Sequence, residues 1–272
     1  MNYLPYPKNN FFGLNPLVSL RKFCHLLKKN LFGHYLILKK ALIIFFGFLT
    51  RKRFNGFNNL VIKGSEVIRD LPHKNVLFIS NHQTYFADVT AMLHVFLASL
   101  AGRVDNLNYL SYLLNPKSNI YFIAAKETMK SGLLPRILAY AGSVPIKRTW
   151  REKGKSINRD IDTKDFENIG IALNDGWVIT FPQGTTKPYA PIRKGNLNII
   201  KTYKPIIVPI QIDGFRRSFD RKGIFIKKRG VRQSMEIKKP LKLDLNASDD
   251  EILDKIAVSI GQKQWIIYNF KI

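Results

Sequence analysis

The sequence predicts an α/β fold: one domain with a largely parallel central sheet flanked by helices, entered through an N-terminal helical pair. Three observations carry this. Five short apolar runs of strand length recur between residues 76 and 212, segments of helical length separate them, and a long apolar-and-basic stretch precedes them all. Strands that alternate with helices join in parallel, because each crossover returns the chain to the same end of the sheet.

The stretch from Leu17 to Arg53 comes first. In its first half Arg21, Lys22, His25, Lys28 and Lys29 recur at helical spacing, with Leu20, Phe23, Leu27 and Leu31 on another face. From Tyr35 to Leu49 the residues are apolar nearly all round except Lys39 and Lys40, and Arg51, Lys52 and Arg53 close the stretch. The pattern fits a helical pair packed on the core with a solvated basic face. It also fits an interfacial membrane anchor, where Lys and Arg beside Leu and Phe suit the headgroup boundary. No run reaches the roughly 18–20 consecutive apolar residues that would span a bilayer, and no secretory signal peptide is expected.

After Asn55 the period changes. VLFIS (Val76–Ser80), IYFIAAK (Ile120–Lys126), SVPIKR (Ser143–Arg148), WVITF (Trp177–Phe181) and IIVPIQI (Ile206–Ile212) read as buried strands. Ala87 to Leu100, Leu133 to Tyr140 and Thr163 to Asn174 read as the helices between them. Ser248 with Glu251 three residues later is a capping-box signature for a last helix, Asp249 to about Trp265. Residues 1–54 are therefore expected to form the helical N-terminal region and residues 55–272 the α/β domain.

The 272 residues, 46% hydrophobic and 12% aromatic, suffice for one sizeable core. Forty-four Lys and Arg against 19 Asp and Glu leave a formal charge of +25. That favours anionic partners: nucleic acid, acidic lipid surfaces or phosphorylated substrates. No helix–turn–helix, zinc-finger or ribonucleoprotein-type signature accompanies the charge, and the basic residues are spread along the chain, so nucleic acid is not the expected partner. The single cysteine, Cys24, excludes an internal disulfide framework and any multi-Cys metal site, and points to a reducing compartment.

Active sites of α/β sheets lie beyond the carboxyl ends of the strands. Val76–Ser80 exits into NHQTYFAD, which places His82 at the strand end and Asp88 at the start of the next helix. A lone His is more often a structural hydrogen-bonder. Here a neutral imidazole can serve as a general base near pH 7, and a nearby carboxylate can hold its tautomer. His25, His34, His73 and His94 have no comparable setting, and His94, inside an apolar helical run, reads as packing. Trp177–Phe181 exits into FPQGTTKPYAPIRKG. Pro182 and Gly184 make a tight turn whose amides can face an anion, and Thr185 adds a hydroxyl. Lys147 and Arg148 end the strand Ser143–Arg148, where Arg offers phosphate a bidentate fork. A base and an anion cradle thus share one sheet edge.

The order NH…D, GSVPIKR, FPQGT and IIVPI resembles the four blocks of the glycerolipid acyltransferase family, which includes bacterial 1-acylglycerol-3-phosphate acyltransferases. The resemblance spans roughly Leu60 to Gly214, and it extends upstream, since the family carries an amphipathic helical pair on the membrane. It implies transfer of a fatty acyl group from acyl-CoA or acyl carrier protein to the free hydroxyl of a lysophospholipid, foremost 1-acylglycerol-3-phosphate, giving phosphatidic acid. It further implies that His82 takes the hydroxyl proton, that Asp88 orients the imidazole, and that Lys147, Arg148, Gln183, Gly184 and Thr185 hold the acceptor. No metal or cofactor is implied beyond the donor. The implied setting is the cytoplasmic face of the cell membrane, against anionic lipids. Two departures stand out: five residues separate His82 from Asp88 where the family has four, and Gln183 replaces a Glu. Gln keeps the reach and loses the charge, which leaves open another acceptor such as a lyso-aminolipid. The altered spacing leaves open a non-catalytic lipid-binding relative.

Overall fold

In the computed structural model, which describes residues 35–129, 132–147 and 162–263 together with 29, 33, 151–152 and 155–156, every residue of Val76–Ser80 is buried. A strand buried on both faces needs helices above and below it, and that is the architecture observed. Seven strands form the sheet: β1 (Asn59–Lys63), β2 (Val76–Ser80), β3 (Ile120–Ala125), β4 (Ser143–Ile146), β5 (Trp177–Thr180), β6 (Ile206–Asp213) and β7 (Arg232–Ile237). Their spatial order is β1-β7-β6-β2-β5-β3-β4. The strands from β6 through β4 pair in parallel. β7 pairs antiparallel with β6 and parallel with β1, so two strands at one edge run against the other five.

Among the described residues, six α-helices of two turns or more accompany the sheet: α1 (Leu36–Arg51), α2 (Ala87–Leu100), α3 (Leu133–Tyr140), α4 (Thr163–Asp175), α5 (Lys194–Tyr203) and α6 (Asp249–Ser259). The period of two along β2 divides the core. Val76 and Phe78 pack with Met92, Phe96 and Trp177 on one face, whereas Leu77 and Ile79 pack with Ile169, Leu173, Leu197 and Ile256 on the other. The Asp162 side chain caps α4 by accepting the Lys164 N–H, and Ser248 caps α6 by accepting the Glu251 N–H. α6 ends at Ser259, short of the expected Trp265, because Gly261 takes a left-handed φ of 66° and closes a Schellman turn. The Gln262 N–H donates to Ala257 O and the Gly261 N–H to Val258 O.

The first half of the expected helical pair, from Leu17, lies outside the described residues except for Gly33 and for Lys29, which forms an isolated bridge with Tyr35; the second half is α1. Its packed stripe is Lys39, Ile43 and Gly47, and Ile37, Leu38, Phe45, Phe48 and Leu49 are exposed. This corrects the reading of Lys39 as a solvated or headgroup-facing charge. Lys39 is 1% exposed, donates to the Ile120 carbonyl at 3.2 Å, and sits 4.1 Å from the centroid of the Tyr121 ring. The Tyr121 hydroxyl donates to Asp175 at 2.6 Å, which holds the ring in place. Arg51 donates to the carbonyls of Leu107 and Asn108, and Arg53 to those of Gly223 and Ile224. These three basic residues therefore fasten α1 to the domain. Lys52 is exposed.

Burial lowers the Lys39 pKa from 10.5 to about 7, with the Asp175 charge pulling it back up. In the unfolded chain Lys39 keeps its proton to near 10.5, and in the folded protein it releases it near 7. Stability contributed through this group is therefore lowest below pH 7 and rises between those two values, by at most about 1.4 kcal/mol per pH unit. Lys39→Met is expected to raise the melting temperature, most of all at and below pH 7, and to flatten the slope above it. Melting curves of both proteins from pH 6 to pH 9 check this; parallel slopes would refute it.

His94 packs as expected. It is buried between Thr50 and Tyr112, bonded to both at 2.9 and 2.8 Å, and burial pushes its pKa down to about 3, with Arg51 adding to the effect. The neutral ring pins α1 to α2.

Candidate active site

Asn81 ends β2 by exchanging two 2.8 Å hydrogen bonds with the backbone of Ile212, which splices the strand end onto β6. The next residue, His82, is thereby fixed above the centre of the sheet. Its Nδ1 lies 2.9 Å from Asp88 Oδ2. Asp88 is fully buried in the first turn of α2, and its carboxylate also accepts the Gln83 N–H (2.6 Å), the Thr84 N–H (3.0 Å) and the Thr84 hydroxyl (2.6 Å). A carboxylate surrounded by donors accepts from Nδ1, which selects the tautomer of the neutral ring with its proton on Nδ1 and its lone pair on Nε2. The imidazole stacks on Phe181 with centroids 3.8 Å apart, which fixes its plane. The extra residue between His82 and Asp88 does not open the pair. It is taken up in a loop secured by the Tyr85 N–H on Arg221 O (3.2 Å) and the Phe86 N–H on Lys222 O (2.9 Å).

His82 borders a cavity of about 660 Å³. Phe122, Met129, Ile146, Phe166, Ile169 and Ile199 supply apolar lining; Lys147, Thr185, Lys187, Arg193 and Arg221 supply polar and cationic lining, and Asp162 and Asp165 add two carboxylates. Of the residues singled out in the sequence, His82, Lys147, Gly184 and Thr185 line this space, and Asp88 stands behind His82. Arg148 lies outside the described residues. Lys147 falls just past β4. Its N–H donates to Asp165, and its ammonium pairs with Asp162 at 3.1 Å, a contact that holds the Asp162 carboxyl below its ordinary range. Gly184 needs its left-handed φ of 64°, and its N–H closes the turn on Phe181 O at 2.8 Å rather than facing an anion.

Gln183 does not line the cavity. It is 1% exposed, and its Nε2 donates to Ala190 O at 2.8 Å and to Gln262 Oε1 at 3.0 Å. A Glu there has no hydrogen to give to those two acceptors and would bury a charge beside them. Gln183→Glu is expected to lower the melting temperature by several degrees, since each lost buried bond costs about 1–3 kcal/mol. An unchanged melting curve would show that the amide's donor role is dispensable.

The sequence pattern does not reveal three features. Asn196 accepts the Thr180 hydroxyl at 3.0 Å and donates to Pro182 O at 3.1 Å, which makes the strand exit after β5 rigid. Arg193 lies at the N-terminus of α5, a helix hidden by its Gly195 and two asparagines. Arg221 lies in a turn after β6 that carries no strand or helix signal.

The Acyltransferase family model matches residues 59–213, more than half of the chain and all of β1 through β6. The chain belongs to the acyltransferase family. The match takes in His82, Asp88 and the Phe181–Thr185 turn of this acyltransferase. Among solved structures, the crystal structure of the 1-acyl-sn-glycerophosphate (LPA) acyltransferase PlsC from Thermotoga maritima aligns with a TM-score of 0.52 at 17% identity, over 90% of this chain and 86% of that one. That likeness shows a shared fold. No curated protein matches the sequence. Among the described residues, the acyltransferase has no cluster of three or more His, Cys, Asp or Glu suited to a metal ion, and no helix long and apolar enough to cross a membrane.

Proposed function

We propose that this acyltransferase moves a fatty acyl group from acyl-CoA or acyl carrier protein to the free hydroxyl of 1-acylglycerol-3-phosphate, giving phosphatidic acid. The observation that carries the reading is the buried-carboxylate-oriented His82 at a cavity whose lining joins apolar side chains with four cationic ones, Lys147, Lys187, Arg193 and Arg221. His82 Nε2 takes the hydroxyl proton as the oxygen attacks the thioester carbonyl. The new C–O bond forms, the C–S bond breaks, and the proton passes to the leaving thiolate. Asp88 stabilises the imidazolium between those steps. The apolar lining suits an acyl chain. Lys147, Arg148 and Thr185, with Arg193, would hold the acceptor phosphate, and no cofactor is needed beyond the donor. The name of the PlsC structure, an enzyme for 1-acyl-sn-glycerophosphate, supports this acceptor.

The proposed setting is the cytoplasmic face of the cell membrane, with residues 1–54 lying in the interface and residues 55–272 forming the catalytic unit. The exposed apolar face of α1 and the net positive charge support attachment to anionic lipids. Because Gln183 is buried and does not line the cavity, its departure from the family pattern gives no ground for preferring a different lyso-lipid. The test is a lipid-product assay with purified full-length protein, offering 1-acylglycerol-3-phosphate, lysophosphatidylethanolamine and a lyso-aminolipid with each donor type. Phosphatidic acid is the expected product. Transfer only to an amine-bearing acceptor, or to none, would overturn the proposal.

A further inference from the structure

The turn from Asp220 to Ile224 lies beyond the family match, yet it meets the site from two directions. Arg221 lines the cavity, and its guanidinium lies 5.7 Å from the centroid of the Tyr85 ring, next to His82. No carboxylate pairs with it among the described residues, whereas Lys147 is already paired with Asp162. The Arg221 and Lys222 carbonyls receive the Tyr85 and Phe86 N–H groups, inside the loop that joins His82 to Asp88. A Cβ on Gly223, whose φ is 76°, would fall 2.6 Å from the Ala87 nitrogen, so turn and loop are in direct contact.

The turn is also held from behind. Arg53, just past the end of α1, donates from its guanidinium to Gly223 O at 3.1 Å and to Ile224 O. Asp220 Oδ1 accepts the Ile224 and Phe225 N–H groups at 2.8 and 2.9 Å. A cation presented on a turn this well bonded loses little freedom when a ligand arrives. A guanidinium matches the oxygens of a phosphate in a way a paired ammonium cannot.

We propose that Arg221 binds a phosphate group of one of the two substrates, and that Arg53 is the positioning residue that holds its turn and, through it, the His82–Asp88 loop. This rests on the acyl-transfer reading above. The phosphate belongs either to the lysophosphatidate acceptor or to the CoA moiety of the donor, and the two sources are separable.

The experiment is steady-state kinetics on the full chain, varying each substrate in turn. Arg221→Ala is expected to raise the KM of one substrate by about tenfold or more, the loss of one charge-assisted contact, and to spare the other. Arg221→Lys recovers part of it. A rise confined to lysophosphatidate assigns the acceptor phosphate. A rise confined to acyl-CoA, absent with a phosphate-free N-acetylcysteamine thioester, assigns the donor. Arg53→Ala should raise the same KM, and in the Arg53→Ala/Arg221→Ala double variant it should add nothing further to it; Arg53→Gln gives the same comparison if the alanine variant does not fold. Unchanged or equally raised KM values in Arg221→Ala overturn the assignment of Arg221. Additive KM effects in the double variant overturn the positioning role of Arg53. If the wild-type protein transfers no acyl group, the reaction reading fails on its own. Calorimetric titration of lysophosphatidate and of CoA into wild type and Arg221→Ala then decides the phosphate site, with equal Kd values refuting it.

Discussion

His82→Ala is expected to abolish acyl transfer and leave the protein folded. The imidazole sits at the cavity edge, where it stacks on Phe181 and makes one side-chain hydrogen bond, to Asp88. Removing it leaves Asp88 with three donors, those of Gln83 and Thr84, so the loop and the first turn of α2 keep their anchor. What is lost is the base with a free Nε2 facing the cavity. Deletion of an oriented acid–base group typically costs about 10²–10⁴-fold, and none of the other cavity residues offers a neutral base at the same place. Product formation at saturating substrate, with a circular-dichroism melting curve on the same preparation, checks the expectation. A folded variant with near-normal turnover would remove the mechanism.

Asp88→Asn is expected to lower turnover by about 10²–10⁴-fold as well, but with a different signature. An Asn side chain has one carbonyl oxygen and an NH2 group where the carboxylate has two acceptors. Four donors converge on this position, three on Oδ2 and the Thr84 hydroxyl on Oδ1; with the NH2 group in the Oδ1 place that hydroxyl can turn to accept, but the three donors on Oδ2 lose their charged acceptor. A hydrogen bond to a charged acceptor contributes about 1.5–3 kcal/mol, against about 0.5–1.5 kcal/mol for a neutral one. This variant should therefore lose activity and melting temperature together, whereas His82→Ala loses activity with little change in melting. If Asp88→Asn retained wild-type stability, the convergence of donors on the buried carboxylate would carry less energy than its geometry implies. If it retained turnover, His82 would not need the carboxylate to hold its tautomer.

The two residues are separated by five positions in one loop, which is why the pair is legible in the amino-acid sequence. Strand exit, short loop and helix start are all local features. The half of the site built on the turn after β5 is legible only in part. Gly184 and Thr185 announce a turn wherever it lies, but which wall of which cavity they face depends on β5 sitting beside β2. Gln183 illustrates the limit. Its position in the FPQGT run suggests contact with a ligand, and its actual partners, Ala190 and Gln262, lie 7 and 79 residues away.

Local apolar runs and their lengths determined the α/β class, strands β2 to β6, and helices α2, α3 and α4. Runs such as VLFIS are continuous and apolar over the length of a strand, and in Thr163–Asn174 Phe166, Ile169 and Leu173 recur at helical spacing; both signals are written within the segment itself. β1 and β7 escaped because they bury alternate residues only; NLVIK and RQSMEI mix polar and apolar side chains and contain no continuous apolar run of strand length. Tertiary structure decided the fate of the charges. By local pattern Lys39, Arg51 and Arg53 form a basic surface. In the fold one is buried against Ile120 and Tyr121, and the other two hold carbonyls of residues 107–108 and 223–224. Whether a side chain meets water or protein is set by segments remote in the chain, and helical spacing says nothing about which segments those are. The same cause hid Arg221: its turn reaches the cavity only because β6 lies beside β2, and it stays there because a residue from the end of α1 reaches across to hold it.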